Sequence, residues 1–183
     1  MALENSGIVV STRRHGTIVG TPSAVDLDEI FSVREAIETF AAIHVCEMAN
    51  RVSEADLLAL ADKLRLTEVT WLKGDHAAAR EYDFAFHETL VDLAGNSRFS
   101  TIYQQMVAQN LHHVKGVDPA VWPLVGWESM EKTHHAILDA VVARDPVAAR
   151  DAIAVHYREA RWRTTVKVPD NDVDAPGPSE YRD

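Results

Sequence analysis

Asp83 and His87 stand four residues apart, a spacing that puts a carboxylate and an imidazole on one face of a helix. That face continues through Leu90, Val91 and Ala94, so it points inward, where both groups need partners or a metal. Two further histidines behave alike. His134 is in register with Ile137, Leu138 and Val141, and His156 with Ala149, Ala152, Ile153 and Ala160. The turn between their helices centres near Asp145, eleven residues after His134 and eleven before His156. Equal distances from the turn of an antiparallel hairpin put both imidazoles at one level. Three nitrogens and one carboxylate suit a borderline divalent ion, zinc first, with nickel or manganese as alternatives, better than calcium or magnesium. Four ligands could close a tetrahedral structural site or leave positions open on a six-coordinate ion. The competing reading makes each histidine a satisfied core residue.

Arg34 is the second anomaly. It lies on an apolar stripe between Ile30 and Ile37, where a guanidinium is costly unless it meets an anion. Glu38, one turn on, is the internal candidate; the alternative is a bidentate grip on a ligand carboxylate. Asn96 reads first as a helix-end residue whose amide could face the same cavity, and a helix folded back at Gly95-Asn96 brings Tyr103 and Gln104 near the level of His87. A metal, an arginine and amides around one cavity describe a pocket for a small organic acid.

Known catalytic patterns fit poorly. A di-iron bundle needs two Glu-x-x-His motifs, and Glu131-Lys132-Thr133-His134 is a single one. His87-Glu88-Thr89-Leu90 is followed by Val91 where a zinc protease needs histidine. Phosphate loops and nucleophile elbows are missing. A metal-dependent enzyme with an open metal position would need a general base, for which His112, His113 and Glu131 offer no recognisable catalytic spacing. A third reading is a helical dimerisation module with a structural polar core.

The elements that must position these residues follow from periodicity and punctuation. Residues 1–20 read as two β-branched strands, Ile8 to Val10 and Thr17 to Val19, around the basic turn Arg13-Arg14-His15-Gly16. Helical periodicity then takes over. A first helix is expected over Asp26 to Asn50, with Leu27, Ile30, Phe31, Ile37, Ala41, Val45 and Met48 as its stripe. Ser53 caps a second that ends at Lys73-Gly74, and Asp75 caps a third that stops at Ala94-Gly95. A fourth covers Ser97 to Lys115, and Gly116 to Gly126, with Pro119 and Pro123, reads as a loop. The fifth spans Trp127 to Ala143; the sixth opens at Asp145-Pro146 and runs to Lys167. Short connections between long helices predict an all-α antiparallel bundle of about six helices after a β-hairpin. Residues 168–183 are proline-rich and acidic, and disorder is expected there.

Composition narrows the class. Eighteen Lys and Arg against 28 Asp and Glu give a net charge of −10, which repels phosphate backbones. Cys46 is alone and forms no internal disulfide. The sequence shows neither an apolar run of about 20 residues nor a signal-peptide core, so a cytoplasmic protein is expected.

Taken in order, five motifs resemble the FCD domain, the all-helical effector domain of the FadR subfamily of GntR transcription regulators. They are Arg34-x-x-Ile37-Glu38, Asp83-x-x-Phe86-His87, Ala94-Gly95-Asn96, His134-x-x-Ile137-Leu138-x-Ala140 and Asp145-x3-Ala149-x6-His156. The resemblance implies a metal held by Asp83, His87, His134 and His156, which selects His134 over His135. It also implies an arginine at the Arg34 position that holds carboxylate effectors, and a homodimer; Asn96, Tyr103 and Gln104 are the effector-side candidates of the pocket reading above. Residues 1–20 resemble the wing of a winged helix-turn-helix, with Arg14-x-Gly16-Thr17-x-Val19 at its tip. The recognition helix that precedes such a wing has no counterpart among these residues, so DNA contact is expected only through such a head. The expected division is therefore a wing at 1–20, a ligand-binding helical domain at 21–167 and a tail at 168–183.

Overall fold

The structure, a computed structural model of the chain, describes residues 9–12, 16–19, 24–48, 50–116 and 127–167, with side chains over 25–48, 50–108 and 127–162. Two strands, β1 (Val9–Thr12) and β2 (Gly16–Val19), pair antiparallel with Val9 opposite Val19 and Thr12 opposite Gly16. Among the described residues six helices follow: α1 (Ala24–Glu47), α2 (Glu54–Leu72), α3 (His76–Leu93), α4 (Ser97–Gly116), α5 (Trp127–Val142) and α6 (Pro146–Lys167). The expected basic turn, the Pro119-Pro123 loop and the acidic tail lie outside the described residues.

Local chemistry sets the helix limits. At the start of α2, Ser53 and Asp56 form a reciprocal capping box, Asp56 N–H donating to Ser53 Oγ at 3.2 Å and Ser53 N–H to Asp56 Oδ2 at 2.8 Å. At its end Gly74 takes φ +79°, while the N–H of Asp75 reaches Thr70 O and that of Gly74 reaches Trp71 O. The same pattern of returning N–H groups ends α5, with Arg144 at φ +58° in the position usually given to glycine. Asp145 Oδ1 then accepts from the N–H groups of Val147 and Ala148 at 3.0 and 2.9 Å, and Pro146 opens α6 without an orphaned donor. The first helix stops at Glu47, three residues short of the expected Asn50. The chain turns there because Arg51 and Val52 bond back to Met48 O and carry Val52 into the core.

Helix α1 packs on α6, α3, α4 and α5, so it lies centrally, while α2 packs mainly on α3 and α5 on α6. Ala41 and Ala42, both fully buried, allow close approach at α1. Around them one apolar cluster joins Val45, Leu60, Phe86, Leu90, Val107, Ile137, Val141 and Ile153, drawn from all six helices. Each such large side chain contributes about 1.5–3 kcal/mol by leaving water. The polar residues on these same faces converge at the centre of the bundle.

Candidate metal centre and the carboxylate behind it

Helix α3 brings Asp83 and His87, α5 brings His134 and α6 brings His156. The three imidazoles are buried, and one ring nitrogen of each lies within 4.8 Å of the others. Their ring centroids stand 4.6 to 5.0 Å apart. The equal spacing of His134 and His156 from the α5–α6 turn therefore has the consequence expected of it. His135 instead sits half exposed, with Nε2 2.6 Å from Glu68.

The second nitrogen of each ring determines what the first can do. His87 Nδ1 lies 2.8 Å from Glu38 Oε2, and His134 Nδ1 lies 2.6 Å from the carbonyl of Met130. His156 Nδ1 lies 3.3 Å from Thr133 Oγ1, whose own hydroxyl donates to Met130 O at 3.1 Å. Each neighbour offers an acceptor to Nδ1, so a proton held there leaves the Nε2 lone pair available to a metal. Yet His87 Nε2 and His134 Nε2 face each other at 3.1 Å. Facing nitrogens at that distance share either a proton or a cation.

Asp83 adds the fourth donor. Its Oδ1 is paired with His134 Nε2 at 2.8 Å and, among the described residues, is a buried oxygen that no hydrogen bond of good geometry satisfies. Burial raises its pKa, but His134, then His87 and Arg34, outweigh that and hold it at about 2. The group whose nitrogens lie within 4.8 Å of one another is His87, His134 and His156, and Asp83 joins it through its contact with His134; that chemistry of three imidazoles and a carboxylate suits a divalent ion. Two ligands about 2.1 Å from one ion stand about 3.0 Å apart at right angles and about 3.4 Å at the tetrahedral angle. The His87–His134 separation falls in that interval.

Behind the histidines lies Glu38, fully buried on α1. Its Oε2 accepts from His87, and its Oε1 accepts from the hydroxyls of Tyr103 and Tyr157 and, at 3.4 Å, from Arg34 Nη2. Arg34 also donates to Tyr103 Oη through Nε at 3.2 Å and Nη2 at 2.8 Å. Burial opposes the Glu38 charge, but His87 and Arg34 hold its pKa well below the carboxylate range. Burial and the Glu38 charge push both tyrosines up, so they remain hydrogen-bond donors.

Of the expected effector residues, Arg34 and Tyr103 thus meet within this network. Asn96 caps α4, its Oδ1 accepting from Arg98 and Phe99 N–H at 3.1 and 3.3 Å, and Gln104 is exposed. Glu131 lies with Glu68 and His135 at the α2–α5 contact, and the side chains of His112 and His113 lie outside the described residues. Sequence reasoning missed Tyr157 and Thr133. Tyr157 continues the Ala149, Ile153 stripe at helical spacing and could have been found that way; Thr133 carries no such signal.

The FCD domain family matches residues 29–159 of the chain. Among solved structures, the fold is similar to Escherichia coli McbR/YncC at 18% identity and TM-score 0.72, covering 90% of this chain and 81% of that one. It is similar to a GntR transcriptional regulator from Rhodococcus sp. RHA1 at 20% identity and TM-score 0.70, covering 92% and 77%. Streptococcus agalactiae GntR aligns at 20% identity and TM-score 0.59, covering 88% and 77%. No curated protein matches the sequence. With the family match spanning most of the helical bundle, the chain belongs to the FCD domain family, the regulatory domain of GntR-type transcription regulators, and its role is regulation rather than catalysis.

Proposed function

We propose that this domain is a metal-containing sensor of a small carboxylate. Asp83, His87, His134 and His156 would hold one divalent ion, zinc first, with nickel or manganese as alternatives. The observation that carries this reading is the arrangement of three buried imidazoles, each with an acceptor offered to Nδ1, beside a buried Asp83 oxygen that, among the described residues, no hydrogen bond of good geometry satisfies. A bound ion there supplies a Lewis-acidic anchor for a carboxylate oxygen. The protein's own residues supply orientation: Glu38, Met130 O and Thr133 fix the ring tautomers, and Arg34 provides the cationic partner for an effector's carboxylate. Dimerisation through a second copy is supported by the apolar side chains that α1 and α4 leave exposed, Phe40, Val33 and Ile102. The regulatory output is a shift between two arrangements of that dimer, passed to a DNA-binding head.

Elemental analysis of the purified chain should find one divalent ion per protomer, lost in Asp83→Ala and His156→Ala. A thermal-shift screen of metal-loaded protein should find a small carboxylic acid that raises the melting temperature, an effect absent in Arg34→Ala. Metal-free protein whose stability neither substitution changes would overturn the metal reading. An effector screen blank across carboxylates would overturn the sensing.

A further inference from the structure

Arg34, Tyr103, Tyr157 and the Nδ1 side of His87 all point donors at a single carboxylate, and that carboxylate belongs to the protein. Glu38 is fully buried and accepts from all four, three at Oε1 and one at Oε2. Such a convergence of a guanidinium, two phenols and an imidazole is a carboxylate-binding seat. The donors come from four helices: Arg34 from α1, His87 from α3, Tyr103 from α4 and Tyr157 from α6. A salt bridge with Arg34 one turn away would need only a single oxygen of Glu38 and neither tyrosine.

We infer that Glu38 is an internal stand-in for the effector: its carboxylate fills the seat at rest, and an effector carboxylate reaches Arg34 only by displacing it. This rests on the sensing role proposed above and specifies how that role is regulated. The tethered group outcompetes a free carboxylate that offers nothing more, through its effective concentration. An effector that gains a further contact in the same pocket can exchange with it. Displacement breaks the Glu38 bonds to Tyr103 and Tyr157 together, so one exchange removes both bridges that Glu38 makes from α1 to α4 and α6. A simple monocarboxylate therefore has no access to the resting protein, which makes Glu38 a specificity determinant.

The seat can be tested without knowing the effector. Glu38→Ala removes a CH2–COO fragment, the size of acetate, and leaves the four donors in place. Acetate should raise the melting temperature of Glu38→Ala by about 5–10 °C at one hundred times its dissociation constant, against a chloride control, and leave wild type unmoved. The response should vanish in Arg34→Met/Glu38→Ala. If Glu38→Ala cannot be purified, Glu38→Ser opens the same space while keeping a small polar side chain; acetate should then stabilise that variant and not wild type. An absent response in whichever variant is obtained, or one that survives loss of Arg34, overturns the inference. Metal content measured on the same samples separates the two readings. Metal-loaded protein without rescue refutes the internal ligand alone, whereas metal-free wild type refutes the metal centre.

Discussion

Asp83 sits 2.8 Å from His134 Nε2 with its side chain 16% exposed, so its charge is held by neighbours more than by water. Its pKa is lowered from 3.8 to about 2, burial being outweighed by His134. A lowered carboxylate contributes stability that is complete above the unfolded value and lost as pH falls through the folded one. Chelator-treated protein should therefore lose about 2 kcal/mol of this contribution between about pH 4 and pH 2. Urea unfolding of Asp83→Asn should show a shallower decline over that interval; parallel curves would remove Asp83 from the acid response. Thr133 offers a complementary test because its hydroxyl holds His156 Nδ1 without itself being a ligand. Thr133→Val keeps the shape and should weaken zinc binding by about 10–100-fold, measured by competition with a chromogenic chelator. Unchanged affinity would show that the His156 ring is held by packing alone.

At the level of elements, the α5–α6 turn is held by a residue that also reaches outside it. Arg144 adopts φ +58° and donates through Nη1 and Nη2 to the carbonyls of Val45 and Val52, each at 2.7 Å. It thereby secures the end of α1 against the turn that sets His134 and His156 level. Arg144→Ala retains the left-handed backbone and loses both bonds, and should cost about 1.5–3 kcal/mol in denaturant unfolding. Arg144→Gly should recover part of that loss by relieving the backbone; equal losses in the two variants would rule out strain at this position. The turn also marks how far sequence can be read. Ser53, Gly74, Asp75, Gly95 and Asp145-Pro146 announce helix ends through contacts within a few residues, so the six helices were legible. His134 and His156 were legible because a hairpin turns chain distance into spatial level. Arg144 was not, since its partners lie on the far side of the bundle. Glu38 was legible only as a partner for Arg34, because Tyr103, Tyr157 and His87 reach it from three other helices.

Across the molecule, the candidate ligands tie α3, α5 and α6 together, and Glu38 links His87 to α1, α4 and α6. The apolar cluster on which these helices pack draws on all six, including Leu60 and Leu64 of α2, which carries none of the ligands. An ion that binds the folded state alone stabilises it by linkage, whatever the distance from ligand to amide. If the bundle unfolds as one unit, that gain reaches α2 as fully as α5. Hydrogen exchange distinguishes the cases. At free zinc one hundred times the dissociation constant, core amides of α1, α2, α3, α5 and α6 that exchange through global unfolding should all slow by about 100-fold. His134→Ala/His156→Ala should show no such change. Slowing confined to amides beside the ligands would mean that α2 opens independently, and that a metal in this domain sets the geometry of one end of the bundle while leaving the rest free to move.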